Sequence, residues 1–207
     1  MSRDISLNDI GAPVAAELEA FNGYLRTLMK SRTALLDHVI RYIIRQRGKR
    51  VRPTLVFLSA GMCGGITKRS DIAAAMVELL HTATLVHDDV VDQADERRGV
   101  ASINAVWKNK VAVLVGDYLL SRGLLVAVQN KEFDFLSITS EAVRRMSEGE
   151  LLQIQKSRQK TIDEETYFRI ISDKTASLLS TCCEIGAVSA TGSDEVRQAL
   201  KTYGELV

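Results

Sequence analysis

Apolar residues along this chain recur mainly at spacings of three and four, the helical period, rather than two. Val14, Leu18, Phe21, Leu25 and Leu28 form one such series, and Pro13 ahead of them suits a helix start. Leu35, Leu36, Val39, Ile43 and Ile44 predict a second helix, ended by Arg47-Gly48. Pro53 opens a third apolar segment that stops at Gly64-Gly65. The run from Asp71 to Val91, rich in Ala, Met, Val and Leu, predicts a long fourth helix of about 30 Å. A loop is expected around Gly99, followed by helices near 102–107, 111–129, 135–156, 164–189 and 194–206. Thr161 and Glu164 are spaced as a capping box, and Gly186 is placed to bend or divide its helix. No repeat, low-complexity tract or linker interrupts the series. The pattern predicts one all-α domain over residues 1–207.

Composition supports that reading and narrows the function. Only two prolines in 207 residues and 5% aromatics favour helix over a many-stranded sheet. A net charge of +1 gives no bulk attraction for nucleic acid. Cys63, Cys182 and Cys183 form neither a CxxC pair nor an even-numbered framework, so buried free thiols and a reducing, cytoplasmic setting are expected. Met1-Ser2-Arg3-Asp4 leads into no apolar signal segment. Residues 111–128 are apolar enough to raise the question of a membrane span. Asp117 and Arg122 inside them favour a buried helix, with these two as a buried structural pair and no transmembrane segment.

The chemistry is concentrated around the end of the fourth helix. Asp88 and Asp92 fall on one helical face, with Asp89 beside them. Three carboxylates at a helix C-terminus face an unfavourable dipole and repel one another, so they call for a cation. Magnesium bridging to phosphate meets that need, since it takes one or two carboxylates together with substrate oxygens. A solvated acidic turn is the plain alternative. Arg97 and Arg98 follow with planar forks suited to diphosphate. Gly48-Lys49-Arg50-Val51-Arg52-Pro53 joins a glycine break to a basic cluster at a helix start, where phosphate is well received. His81 lies seven residues before Asp88, on the same face.

GKRVRP at 48–53, HTATLVHDDVVD at 81–92, RRG at 97–99, GDYLL at 116–120, GELLQ at 149–153 and KT at 174–175 together resemble the trans-polyprenyl diphosphate synthases, octaprenyl diphosphate synthases among them. The resemblance implies an isoprenoid synthase-type helical bundle around a central cavity. It also implies condensation of isopentenyl diphosphate with an allylic prenyl diphosphate. By similarity, Asp88 and Asp92 bind Mg2+ that grips the allylic diphosphate, Asp89 supports them, and Arg97 contacts the same diphosphate. Lys49, Arg52, His81 and Arg98 would hold isopentenyl diphosphate. Lys174 and Thr175 would reach the allylic diphosphate from another helix, and Gln153 would face the cavity. In the family, bulky residues at the positions of Ala83 and Thr84 shorten the product. Their small size here implies a medium- to long-chain product, which Phe at Ala83 would shorten. Homodimers are usual in the family.

The sequence also departs from the family pattern. Arg47 stands where another glycine is usual, and no second aspartate-rich motif occurs in the 207 residues. The expectation is a C-terminally truncated synthase, inactive by itself, with half of its metal site. Three other readings stay open: a non-catalytic subunit of a heteromeric synthase, a terpene cyclase, and an HD-type metal phosphohydrolase built on His87-Asp88. The cyclase would not need the second basic set, and the hydrolase lacks further His ligands.

Overall fold

The structure, a computed structural model, describes residues 6–46, 48–159 and 162–207. In chain order it contains α1 (Leu7–Gly11), a 3-10 turn (Ala12–Val14), α2 (Ala15–Met29), α3 (Ala34–Arg45), α4 (Val51–Met62) and α5 (Lys68–Val91). There follow β1 (Glu96–Arg97), β2 (Val100–Ala101), α6 (Ile103–Asn130), α7 (Phe133–Gln159), α8 (Glu164–Ile171), a π-helical turn (Ser172–Ala176), α9 (Ser177–Ala190) and α10 (Asp194–Leu206). The all-α expectation holds.

The departures from the predicted elements have local causes. Pro13 sits in the 3-10 turn, so α2 starts two residues later. Arg47 and Thr161 lie outside the described residues. Asp163 caps α8, its carboxylate accepting from the Thr166 amide at 2.8 Å. The expected loop at Gly99 is a tight antiparallel hairpin pairing Glu96 with Ala101 and Arg97 with Val100. Its two turn residues, Arg98 and Gly99, have φ of 56° and 76°, as a type I′ turn requires. The usual sign of that turn is Asn-Gly or Asp-Gly; Arg-Gly conceals it. The segments 102–107 and 111–129 join as α6, kinked where Lys108 adopts φ 71°, ψ 160°. The break expected at Gly186 falls instead at the π-helical turn. Gly186 lies within an unbroken α9, where a Cβ would stand 2.4 Å from the Val56 carbonyl oxygen on α4.

The chain divides into two compact units. Met1–Val51 with Ala75–Asn130 make the first. Here α6 packs on α2 and α3. Tyr118 and Arg122 donate to the carbonyls of Lys30 and Leu28 at the end of α2, at 2.8 and 2.7 Å, satisfying groups that a helix end leaves open. Trp107 sits edge-on to Tyr42 and His38, and the Tyr42 hydroxyl donates to Ala101 O at 2.6 Å, tying α3 to the hairpin. Phe21, Val39, Ile40, Leu79 and Leu119 are among its buried residues.

Arg52–Ala74 with Lys131–Val207 make the second unit. The π-helical turn lies against α7, and α9 packs on α7 and α10. Phe57, Phe135, Leu178, Cys182 and Ile185 are buried. Arg69 donates to Glu132, Asp134 and the Val188 carbonyl, joining the start of α5 to α7 and α9. Glu184, only 4% exposed and the one charged residue of α9, is met by Arg197 and Lys201 of α10 at 2.7 and 3.2 Å. A buried carboxylate requires such partners.

Candidate functional site

In the first unit the acidic cluster forms at the end of α5. The Asp92 amide donates to the Asp88 carbonyl at 2.8 Å, which continues the helical register one residue beyond α5 and sets both carboxylates on one face. Asp88 is partly exposed and Asp92 exposed, whereas Asp89 is buried. Asp89 Oδ1 accepts from both Nε and Nη2 of Arg97 at 2.6 Å. Burying that carboxylate would be costly without the guanidinium. Asp89 therefore fixes Arg97, while Asp88 is half-buried and Asp92 is exposed one turn on.

The basic residues of this unit come from two directions. β1 carries Arg97 toward α5. Arg98, in the left-handed conformation, lies against Gly48: a Cβ there would stand 2.7 Å from Arg98 Nη1. Lys49 follows Gly48 and is exposed, and Arg50 takes φ 54° just before α4. The structure thus brings Gly48 and Arg98 together, although fifty residues separate them in sequence. His81 is half-buried on α5, and its carbonyl accepts from the Thr84 hydroxyl at 2.9 Å.

His87 explains the GDYLL motif. Its Nε2 lies 3.3 Å from Asp117 Oδ1 and 3.3 Å from the Val113 carbonyl oxygen. A Cβ on Gly116 would stand 2.2 Å from that nitrogen, so the ring fits only over a glycine. This corrects the expected Asp117–Arg122 pair. Asp117 is 60% exposed and pairs with His87, while Arg122 serves α2. It also removes the basis for an HD-type centre, since His87 is turned to α6.

The second unit holds Arg52, Gln153, Lys174 and Thr175. Arg52 lies half-buried in the first turn of α4. Lys174 and Thr175 stand on the π-helical turn, a local widening common at functional sites. The Lys174 ammonium meets Glu150 Oε2 at 2.6 Å and Gln153 Oε1 at 3.2 Å. Gly149 makes the approach possible, since a Cβ there would stand 2.9 Å from Asp173 Cβ. The GELLQ motif is thus the seat of the KT motif. Glu150 was not expected as a site residue; its signal was its place three residues before Gln153 on one helix.

The expectation at Ala83 changes. Ala83 is buried, at 1% exposure, so Phe there would overpack the core before it altered a product. Thr84 is half-buried, with its hydroxyl turned back onto the helix. The thiols are free, as expected, though Cys63 is only half-buried. Burial raises the pKa values of Cys63 and Cys183, which suits inert side chains. A polar cavity of about 150 Å³ in the second unit is lined by Glu141, Arg145, Glu184, Arg197 and Lys201, among others, and by none of the expected site residues.

Among the described residues no group of three or more His, Cys, Asp or Glu gathers closely enough to hold a metal alone. Asp88 and Asp92 nevertheless fit magnesium. They offer hard oxygen donors one helical turn apart, and this ion completes its shell with water and phosphate oxygens.

Residues 33–207 match the Polyprenyl synthetase family. The chain is 39% identical to an all-trans-nonaprenyl-diphosphate synthase (geranyl-diphosphate specific) of Rhodobacter capsulatus, over 94% of this chain and 60% of the relative. It is 34% identical to the octaprenyl diphosphate synthase of Escherichia coli K12, over 98% of this chain and 63% of that enzyme. The crystal structure of a polyprenyl synthase from Caulobacter crescentus, complexed with calcium and isoprenyl diphosphate, superposes with a TM-score of 0.92 at 33% identity. That match covers 99% of this chain and 62% of the other. The chain spans a little over three-fifths of the length of such relatives and shares the all-α isoprenoid synthase fold of its structural neighbours. With the motifs from Gly48 to Thr175 inside the matched region, the chain belongs to the polyprenyl synthetase family.

Proposed function

We propose that this chain carries the first aspartate-rich half of a prenyltransferase site, within a single synthase domain to which both units belong. The reaction is condensation of isopentenyl diphosphate with an allylic prenyl diphosphate, giving a medium- to long-chain all-trans polyprenyl diphosphate. The observation that carries this reading is the division of labour at the end of α5: Asp89 is buried on Arg97, while Asp88 and Asp92 share one helical face.

In this reading Asp88 and Asp92 hold Mg2+, whose charge when bound helps neutralise the departing pyrophosphate. Arg97 and the Lys174–Thr175 pair bind the allylic diphosphate, with Gln153 steadying Lys174. Lys49, Arg52, His81 and Arg98 orient isopentenyl diphosphate, so that its double bond lies against the carbon that loses pyrophosphate. A proton then leaves the new chain. The small side chain of Thr84 leaves room for a long product. The family relationship supports these roles, as does calcium with isoprenyl diphosphate in the related Caulobacter structure. The exposed face of α6 that carries Leu114, Leu124, Leu125 and Val128 is read as the contact with a second copy, and the protein as cytoplasmic.

These 207 residues hold one aspartate-rich motif, so they are expected to bind the allylic substrate but scarcely to turn it over. Calorimetry should show Mg2+-dependent binding of geranyl diphosphate, weakened about tenfold or more when Asp88 and Asp92 become Asn, as lost charge-assisted contacts predict. Binding indifferent to Mg2+ and to both substitutions would refute the site. Turnover with isopentenyl diphosphate equal to that of an intact relative would refute the predicted inactivity.

A further inference from the structure

Arg145 belongs to none of the motifs above, yet its guanidinium is a junction of the second unit. Nε donates to Asp173 Oδ1 at 2.9 Å and Nη2 to Ser172 Oγ at 2.9 Å. Nη2 and Nη1 also donate to Glu205 Oε1 and Oε2, at 2.6 and 3.1 Å. One planar fork thereby ties the first two residues of the π-helical turn to α7 and to the end of α10. Glu205 in turn accepts from the Ser172 hydroxyl, which closes the network. Arg169 reaches Asp173 only at 3.7 Å and is exposed, so it is no substitute.

The arrangement has a period. Arg145, Gly149 and Gln153 recur every four residues and share one face of α7. Along that face the turn meets a cation at Ser172–Asp173, an absent side chain at Gly149, and acceptors for Lys174 from Glu150 and Gln153. A π-helical turn is rarely stable by itself, and its extra residue rotates every later side chain. Something outside it must fix its register.

We propose that Arg145 is a positioning residue: it holds Ser172 and Asp173 against α7, sets the π-helical turn, and so aims the Lys174 ammonium. The inference deepens the assignment of Lys174 and Thr175 to diphosphate binding and rests on it for its functional meaning.

The test is residue-resolved acetylation of the folded chain with an N-hydroxysuccinimide ester, read by mass spectrometry as the rate at Lys174 relative to exposed Lys131. Arg145→Gln should raise that ratio about fivefold or more, the effect of losing about a kilocalorie per mole of local order. Arg145→Lys keeps the charge but loses the fork, so the ratio should stay above that of the parent, by less than in Arg145→Gln. If Arg145→Gln fails to fold, Asp173→Asn removes one leg of the network and should move the ratio the same way by less. An unchanged ratio in a folded variant overturns the proposal. Adding geranyl diphosphate with Mg2+ to the parent should slow labelling of Lys174. No slowing would overturn the diphosphate assignment, while the ratio without ligand still judges Arg145.

Discussion

Single backbone positions record where this fold is under tension. Lys108 holds φ 71° and ψ 160° inside α6, a region almost reserved for glycine. Lys108→Gly should raise stability by about 1–2 kcal/mol, the strain relieved less the entropy that glycine loses on folding. Urea denaturation will measure it, and a lower midpoint in the variant would show that the kink is unstrained. The apolar pattern left a gap between 107 and 111 that contains Lys108, but it gave no sign of the torsion, because the pattern shows faces and not torsions. The alignment of Asp88 with Asp92 was legible, since helical spacing dictates it. The partnership of Asp89 with Arg97 was not: eight residues and a change of chain direction separate them, and only the unrecognised hairpin brings them together.

Between elements, the informative object is the face that α7 turns to the π-helical turn. The GELLQ and KT motifs were each readable, but their union was not, because the turn's extra residue has no periodic signature in sequence. The Arg145 network gives this junction a pH dependence. The Glu205 carboxyl is held below its ordinary 4.5, chiefly by Arg145 and further by Ser172, against the opposing effect of burial. A lowered carboxylate pKa means that the unfolded chain takes up the proton first as pH falls. The contribution of Glu205 is therefore complete above pH 4.5 and is lost as pH drops through its lower folded value. Thermal melts between neutral pH and the acid range should show this loss, and Glu205→Gln should flatten that part of the profile. A variant that parallels the parent throughout would exclude the role.

For the molecule as a whole, the helical class was plain from the first apolar series, while the outer faces were not. The helix expected to be buried presents Leu114, Leu124, Leu125 and Val128 to solvent, along the stripe that includes Asp117. Its length and composition would also suit a membrane span, with only 39% of its most apolar window buried. Contact with a second copy would cover that stripe. Sedimentation at micromolar concentration should find a dimer, and Leu124→Lys with Val128→Lys should give monomers that stay folded. A monomeric parent would defeat the pairing. The hairpin carries a consequence for its two arginines. Neighbouring residues of a tight turn leave it in different directions, so Arg97 goes to α5 and Arg98 to Gly48. Two identical letters of the sequence thus have different addresses. One extra residue in the turn would keep the composition nearly unchanged, yet would misdeliver one arginine and leave its twin in place.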